Sequence, residues 1–250
     1  MSNPFQLDGA VALVTGGGTG LGRAIALAMA RAGATVIIVG RRSEPLEETA
    51  AADGIVPIVH DVTDFERAAA LVSRITREWG SPSILVNNAG VHLKKPSDDT
   101  SVREFQTVLD THVLAAHALT QAVIPGMREQ KAGSIIFIAS MTALFGIPLV
   151  TAYSAAKSAY LGMTRTLAVE HGTTGIRVNA IAPGWIESPM MRAAMDQDPE
   201  RTARVLGRTP LGCFGNADDV AHAAVYLASP AARFVTGVCL PIDGSVSIGF

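Results

Sequence analysis

The feature that most constrains this chain is the alternation of short apolar runs with longer amphipathic stretches. Six runs are rich in β-branched residues and almost continuously hydrophobic, as strands covered on both faces must be. They lie at residues 11–14, 35–39, 55–59, 84–86, 134–138 and 178–181. Parallel neighbouring strands need a crossover, which a helix can supply. The sequence therefore predicts an α/β fold, a doubly wound sheet of about seven mostly parallel strands with helices on both faces.

Four stretches between the apolar runs have the periodicity of amphipathic helices. They cover residues 21–32, 64–79 with Asp64 as the N-terminal cap, 101–130 and 151–170. Gly33 follows the first of them, where a glycine commonly ends a helix. The chain has no linker, low-complexity tract or internal repeat, so we expect a single domain over residues 1–250.

Composition and charge exclude several classes of function. The formal net charge is −2, so the chain lacks the basic excess that neutralises the phosphates of a nucleic acid. The first nine residues lack the pattern of a signal peptide, and no apolar run approaches the length of a membrane span. Cys213 and Cys239 stand apart, without the spacing of a metal site or a disulfide framework. The sequence therefore predicts a cytoplasmic protein without a metal, membrane or nucleic-acid partner.

A glycine-rich turn follows the first predicted strand and leads directly into the first predicted helix. Its sequence is Thr15-Gly16-Gly17-Gly18-Thr19-Gly20-Leu21-Gly22. A pyrophosphate approaches the backbone closely at such a helix N-terminus, where free N–H groups and the helix dipole favour anions. No lysine follows the last glycine, as it would in a P-loop. The turn therefore predicts binding of a dinucleotide rather than hydrolysis of a triphosphate.

Two arginines follow the second predicted strand, where a site for NAD usually has a carboxylate. Gly40 stands at that position, and Arg41 and Arg42 come next. A carboxylate would bind the ribose 2′-hydroxyl of NAD, whereas guanidinium groups pair with the 2′-phosphate of NADP and stack on adenine. Solvated arginines at the start of a loop would give the same pattern, above all at Arg42. The sequence favours NADP(H) over NAD(H).

A tyrosine and a lysine stand four residues apart near the start of a predicted helix. Tyr153 and Lys157 therefore share one helix face. Ser140 ends an apolar strand, and the carboxyl edge of such a sheet faces the ligand crevice. An exposed tyrosine that covers a lysine stem would show the same spacing. With Ser140 upstream, the three residues are candidates for the chemistry of the site.

The chain resembles the classical short-chain dehydrogenase/reductase family over essentially its whole length. The markers that carry the resemblance stand in the order of the family: residues 15–22, Asp61 with Val62, Asn87 with Asn88, Ala89 and Gly90, Ser140, Tyr153 with Lys157, and Pro183 with Gly184. The resemblance implies a single-domain Rossmann-type fold, with a dinucleotide-binding half over 1–130 and a catalytic and substrate half over 131–250. It also implies a homotetramer.

The resemblance implies a role for each catalytic candidate. Tyr153 would exchange a proton with the oxygen of a substrate alcohol or carbonyl. A free phenol ionises near pH ~10, so Lys157 and an oxidised nicotinamide would lower the pKa of Tyr153 by their positive charges. Lys157 would also hold the nicotinamide ribose, and Ser140 would orient the reacting oxygen.

The resemblance also implies a set of cofactor contacts along the chain. The glycine turn would hold the pyrophosphate and the two arginines the 2′-phosphate. The expected set is Gly16, Gly18, Thr19, Gly20, Leu21, Gly22, Arg41, Arg42, Asp61, Val62, Asn88, Ala89, Gly90, Tyr153, Lys157, Pro183, Gly184, Ile186 and Ser188. Asp61 and Val62 would flank the adenine, and Ser188 replaces the usual threonine beside the carboxamide.

One position departs from the pattern of the family. His112 stands where the family has an asparagine that holds a water of a proton relay. A histidine can donate, accept and titrate near neutrality, so it could preserve the relay in altered form. A helix histidine with only a structural hydrogen bond is the other interpretation, and the sequence leaves both open. His112 also motivates a hypothesis of another class, a catalytically silent NADP-binding scaffold or sensor.

The substrate is the least constrained part of the interpretation. Residues 185–212 lack a strand pattern and cluster Pro, Met and Arg, which predicts a mobile substrate loop. Lys94 and Lys95 could bind a carboxylate at the mouth of the cleft, or lie in a solvated loop, while Met141 and Trp185 would form an apolar wall. Residues 138–141, 198–201 and 208–212 resemble the sugar-acid branch of the family, the 2-dehydro-3-deoxygluconate and gluconate 5-dehydrogenases. The 3-oxoacyl thioester reductases share the same core motifs. The substrate is expected to be a small alcohol or carbonyl compound, with a keto-sugar acid favoured.

Overall fold

The fold is built around one sheet of seven strands. The computed structural model describes residues 3–188, 191–192 and 198–249. The strands are β1 (Val11–Thr15), β2 (Thr35–Gly40), β3 (Ile55–Val59), β4 (Ile84–Asn87), β5 (Gly133–Ile138), β6 (Ile176–Pro183) and β7 (Cys239–Ile242). The first six confirm the six predicted runs. β7 was not among them, because it has only four residues, one of which is proline.

All neighbouring strands of the sheet run parallel. The order is β3-β2-β1-β4-β5-β6-β7, and each of the six pairings is parallel. The strand order reverses direction between β1 and β4, which is where a doubly wound sheet opens a crevice at its carboxyl edge. The predicted fold class is confirmed, and the protein is a single Rossmann-type domain.

Eight α-helices are described. They are α1 (Gly20–Arg31), α2 (Ser43–Ala50), α3 (Ala68–Trp79), α4 (Val102–Leu109), α5 (Ala115–Gln130), α6 (Thr151–His171), α7 (Pro199–Gly207) and α8 (Ala217–Ala228). The sequence analysis missed α2, α7 and α8, although Asn216 and Asp219 form a capping box at the start of α8. None of the described helices is long and apolar enough to cross a membrane.

The helices cover both faces of the sheet, as the uniformly apolar strands require. One core cluster packs α1 and α8 on the sheet through residues such as Ile25, Met29 and Leu227. The other packs α3, α5 and α6 on the opposite face, with Ile75 and Leu119 among its buried members. Each Å² of apolar surface that is buried stabilises the fold by about 25 cal/mol, so the two core layers make the main stabilising contribution.

Two helix beginnings show how local chemistry sets the element bounds. Ser101 and Glu104 form a capping box, so α4 begins where the sequence predicted a helix start. Asp64 does occupy the N-cap position, but its side chain makes no capping hydrogen bond. Its carboxylate instead pairs with Arg67, at 3.2 Å, beside a short 3₁₀ turn (Phe65–Arg67) that precedes α3.

The glycine turn depends on the absence of a side chain at Gly22. A Cβ atom there would collide with the carbonyl oxygen of Gly16 and with the side-chain amide of Asn88. This contact lets the first turn of α1 lie directly against the loop that leaves β1. Gly162, in the middle of α6, is a useful contrast, because a Cβ atom there would meet nothing within 4 Å.

We expect opposite effects from the same substitution at these two helical glycines. Gly22→Ala lowers the free energy of unfolding by about 1–3 kcal/mol, because the backbone of the turn must move to admit the methyl group. Gly162→Ala raises it by about 1 kcal/mol through helix propensity. Thermal unfolding of both variants measures the difference, and equal stabilities would contradict the packing described for Gly22.

Candidate active site

The carboxyl ends of β1 and β4 are joined by a buried side chain. The hydroxyl oxygen of Thr15 accepts hydrogen bonds from the backbone N–H groups of Asn88 and Ala89, each at 2.9 Å, and donates to the carbonyl of Val86 at 3.3 Å. The Asn88 amide donates to the carbonyl oxygens of Thr15 and Gly16, at 2.8 and 3.3 Å. The glycine turn is therefore fixed to the neighbouring strand at the point where the strand order reverses.

A first cavity of about 310 Å³ opens beside this turn, over the ends of β1, β2 and β3. Its lining includes nine of the predicted cofactor residues: Gly16, Gly18, Thr19, Arg41, Arg42, Asp61, Val62, Ala89 and Gly90. The Asp61 carboxylate accepts from the backbone and hydroxyl of Thr63, at 3.0 and 2.8 Å. The hydrogen bonds from Thr63 are the main cause of the lowered pKa of Asp61. Burial of the carboxylate opposes this shift, and the positive charge of Arg41 adds a smaller lowering.

A second cavity of about 400 Å³ continues from the first and shares Gly90 and Val91 with it. Its lining brings together the remaining predicted catalytic and cofactor residues except Gly22, which lies under the turn. They are Gly20, Leu21, Asn88, His112, Ser140, Tyr153, Lys157, Pro183, Gly184, Ile186 and Ser188. Residues from six separate parts of the chain thus surround one space at the carboxyl edge of the sheet.

Ser140, Tyr153 and Lys157 face each other across this second cavity. The Lys157 ammonium donates to the carbonyl oxygen of Ile138 at 2.6 Å and lies 5.5 Å from the centre of the Tyr153 ring. A hydrogen bond links the side chains of Tyr153 and Ser140. The Ser140 oxygen also accepts from the backbone N–H of Thr142, at 3.2 Å. The serine is therefore held at the strand end with its hydroxyl directed to the tyrosine.

Of the described residues, the lining of this cavity includes none of the three predicted substrate residues. Lys94 is exposed in the loop outside it, and Lys95 pairs with Glu104 at 2.9 Å. Met141 is buried. Trp185 lines a separate cavity of about 510 Å³. Lys94, Met141 and Trp185 therefore lie outside the lining of the catalytic cavity, and their role in binding the substrate stays a prediction.

Comparison with known proteins identifies the family. A family model described as enoyl-(acyl carrier protein) reductase matches residues 16–247. The chain is 36% identical over 249 residues to a 3-oxoacyl-[acyl-carrier-protein] reductase of Thermotoga maritima, covering 98% of this chain and 100% of that protein. It is 34% identical over 255 residues to a gluconate 5-dehydrogenase of Gluconobacter oxydans, covering 99% of each.

A solved structure extends this similarity to the whole fold. It is a gluconate 5-dehydrogenase from Burkholderia cenocepacia J2315 in complex with NADP and tartrate, with 30% sequence identity and a TM-score of 0.93. The match covers 99% of this chain and 98% of that one. The chain belongs to the short-chain dehydrogenase/reductase family. It is accordingly a nicotinamide-dependent oxidoreductase that acts between an alcohol and a ketone.

Burial dominates the electrostatics of the dehydrogenase site. Burial lowers the pKa of Lys157 from 10.5 to about 7. Burial also raises the pKa of Tyr153, and the hydrogen bond with Ser140 opposes this rise only in part. A lowered pKa was expected for Tyr153 from Lys157 together with the oxidised nicotinamide. The protein groups alone do not produce it. A lysine with a pKa near neutrality can nevertheless hold or release a proton under ordinary conditions.

His112 is buried in a π-helical turn (Asp110–Leu114) between α4 and α5. The backbone N and O atoms of Val91 lie 3.1 and 2.9 Å from the Nε2 atom of His112. Nε2 accepts from the N–H when it is unprotonated and donates to the carbonyl oxygen when it carries the proton, so the imidazole binds Val91 in either tautomer. Burial, with a further contribution from Lys157, lowers the pKa of His112 to about 3. The lowered pKa favours the interpretation of His112 as a helix histidine with a structural hydrogen bond, one of the two that the sequence leaves open.

Two polar residues at the mouth of the cavity were not among the predicted site residues, although the stretch that contains His92 was expected at this mouth. The His92 ring centre lies 4.9 Å from that of Tyr153. Glu187 lines the same cavity and pairs with Arg192 at 2.7 Å. Both lie in loops, where no periodicity indicates the direction of a side chain. Their positions directly after the Asn88–Gly90 and Pro183–Gly184 markers are the signal that could have identified them.

The buried lysine makes a prediction about stability. The pKa of Lys157 in the folded protein lies below its unfolded value of 10.5, so the unfolded chain binds more protons between about pH 7 and 10.5. Stability that depends on Lys157 therefore rises with pH in that window. From pH 6.5 to 9, the unfolding free energy of the wild type should gain about 2–3 kcal/mol relative to Lys157→Met.

Urea unfolding at the two pH values measures this gain. Lys94→Met, at an exposed lysine, is the matched control and should follow the wild type. If Lys157→Met and the wild type have parallel pH dependences, burial does not lower the pKa of Lys157.

Proposed function

We propose that this dehydrogenase transfers a hydride between NADP and a secondary alcohol or ketone group of a sugar acid. The observation that carries the proposal is the joining of two cavities at Gly90 and Val91. One contains the glycine turn and both arginines, and the other contains Ser140, Tyr153 and Lys157. A dinucleotide would lie along this path with its adenosine end in the first cavity and its nicotinamide end in the second.

The reaction follows from the positions of three side chains. When bound, the nicotinamide supplies or accepts the hydride and, in its oxidised form, adds a positive charge near the phenol. In the direction of reduction, Ser140 donates a hydrogen bond to the substrate carbonyl oxygen. Tyr153 then gives its proton to that oxygen as the carbon becomes tetrahedral. Lys157 holds the nicotinamide ribose and, with its pKa near 7, returns a proton towards the phenol.

The remaining site residues support binding of the cofactor. The pyrophosphate would lie at the N-terminus of α1, where Gly20 and Leu21 would present backbone N–H groups to an anion. Pro183, Gly184, Ile186 and Ser188 would contact the carboxamide end. Residues 1–130 would thus bind most of the dinucleotide, and 131–250 would supply the chemistry. The proposed substrate loop 185–212 includes residues 189–190 and 193–197, which lie outside the described residues.

His112 acts in this proposal as a positioning residue rather than as a proton relay. It is neutral at working pH, and its Nε2 atom is occupied by the backbone of Val91. A Cβ atom on Gly90 would collide with the imidazole ring, so His112 packs directly under the turn shared by both cavities. The histidine therefore shapes the cofactor and substrate cleft through its packing.

Preference for NADP(H) over NAD(H) rests on the two arginines. Arg41 and Arg42 line the first cavity, and Gly40 replaces the carboxylate that would repel a 2′-phosphate. The similar structure that contains NADP supports the same preference.

We further propose a cytoplasmic homotetramer. Exposed apolar side chains on the outer helices, such as Leu114 and Val169, offer surfaces for subunit contacts.

The sugar-acid substrate is favoured by the polar residues that surround the cavity. His92, Glu187 and Ser188 line it, and the similar Burkholderia structure contains tartrate, itself a polyhydroxy acid. A 3-oxoacyl thioester is the second candidate, supported by the Thermotoga relative. A long acyl chain would need an apolar channel, whereas Met141 and Trp185 lie outside this cavity.

Steady-state kinetics test the proposal with two ketones and two cofactors. With 5-keto-D-gluconate, kcat/KM should be higher with NADPH than with NADH. Arg41→Ala should raise the KM for NADPH by about tenfold or more and leave that for NADH nearly unchanged, because a charge-assisted contact contributes about 1.5–3 kcal/mol. Arg31→Ala, at the exposed end of α1, is the matched control.

Three outcomes would contradict parts of this assignment. Faster reduction of an acetoacetyl thioester than of the keto acid would favour the second candidate. Equal use of NADH and NADPH would remove the role of the arginines. Tight binding of NADPH without reduction of any ketone would revive the hypothesis of a silent scaffold.

A further inference from the structure

His92 occupies a fixed position at the mouth of the catalytic cavity. It directly follows Val91, whose backbone N and O atoms both lie within 3.1 Å of Nε2 of the buried His112. The chain cannot move at Val91 without losing this contact. His112, the residue that departs from the family pattern, thus fixes the backbone from which His92 projects.

The His92 ring lies against the proposed proton donor. Its centre is 4.9 Å from the centre of the Tyr153 ring, with the two planes inclined at 53°, and it lines the cavity that contains Ser140 and Lys157. Within the described residues, no group forms a hydrogen bond with the His92 imidazole. Both of its nitrogen atoms therefore remain available to a molecule bound beside Tyr153.

The charge of His92 decides which substrate group it suits. Partial burial lowers its pKa, and the positive charge of Lys94 lowers it further. The imidazole is therefore neutral at neutral pH, with one N–H donor and one acceptor nitrogen. A hydroxyl group, which also donates and accepts, matches this pair, whereas a carboxylate only accepts and would leave the acceptor nitrogen without a partner.

We propose that His92 is a specificity residue that binds a hydroxyl on the carbon next to the reacting carbon. The substrate class is then the α-hydroxy ketone and the corresponding vicinal diol, rather than a 3-oxoacyl thioester, which has a methylene group there. This inference rests on the proposed function and extends it. His92 does not exchange the reacting proton, which belongs to Tyr153.

A matched pair of ketones isolates this contact. Acetoin and butan-2-one differ only in the hydroxyl beside the carbonyl, so the ratio of their kcat/KM values with NADPH measures recognition of that hydroxyl. The wild type should prefer acetoin. His92→Leu should lower the preference by about five- to tenfold, as expected for one hydrogen bond, mainly through a higher KM for acetoin. Butan-2-one kinetics should change by less than about threefold.

Two further variants separate recognition from packing. His92→Gln keeps a donor and an acceptor and should retain most of the preference. His222→Leu, at an exposed histidine on α8, should behave as the wild type. An equal loss on both ketones in His92→Leu would show that the ring only supports Tyr153, and would overturn the inference.

The wild type distinguishes this inference from the proposed function. If it reduces both ketones with the same kcat/KM, the role of His92 fails while the dehydrogenase assignment stands. If it reduces no ketone with NADPH, including 5-keto-D-gluconate, the proposed function fails and the role of His92 fails with it.

Discussion

The parallel direction of all seven strands is the constraint on which the rest of the structure depends. It brings the carboxyl ends of the strands to one edge, so that residues far apart in sequence surround one cleft. Thr15 makes this arrangement specific, because its buried hydroxyl joins the end of β1 to the backbone that follows β4. The glycine turn and the Asn88–Gly90 loop therefore keep a fixed separation, and both cavities are built against that junction.

The chemistry of the site follows from burial at this edge. A lysine that is removed from water loses most of its preference for the charged form, and the phenol beside it loses much of its tendency to ionise. Lys157 and Tyr153 are shifted in opposite directions by the same cause. Both changes favour the neutral forms of the two side chains. The chain therefore supplies a proton donor held in place, and a charged partner must complete its activation.

His112 shows how one substitution can change the role of a position. A polar side chain in a π-helical turn close to Lys157 is well placed to carry protons. Burial and the neighbouring lysine instead keep the imidazole neutral, and Val91 takes up its Nε2 atom. The position thereby fixes the loop that carries His92.

The sequence contained enough information for the fold and for the buried part of the site. Six strands are apolar β-branched runs, and the glycine turn, Ser140, Tyr153 and Lys157 occur at element ends, where direction follows from topology. β7 was missed because it is short and contains proline. α8 was missed because much of its apolar surface consists of alanine. Lys94, Met141 and Trp185 do not line the catalytic cavity, and their role stays a prediction, because tertiary contacts orient such side chains. The position of His92 likewise depends on the contact between Val91 and His112, which no local pattern shows.

We propose that Tyr153 gives the proton that accompanies hydride transfer. The most direct measurement compares the wild type with Tyr153→Phe, in the rate of NADPH oxidation with a saturating ketone and in the Kd for NADPH. We expect kcat to fall by about 10²- to 10⁴-fold while NADPH binding is retained. A Tyr153→Phe enzyme that reduces the ketone at the wild-type rate would contradict it.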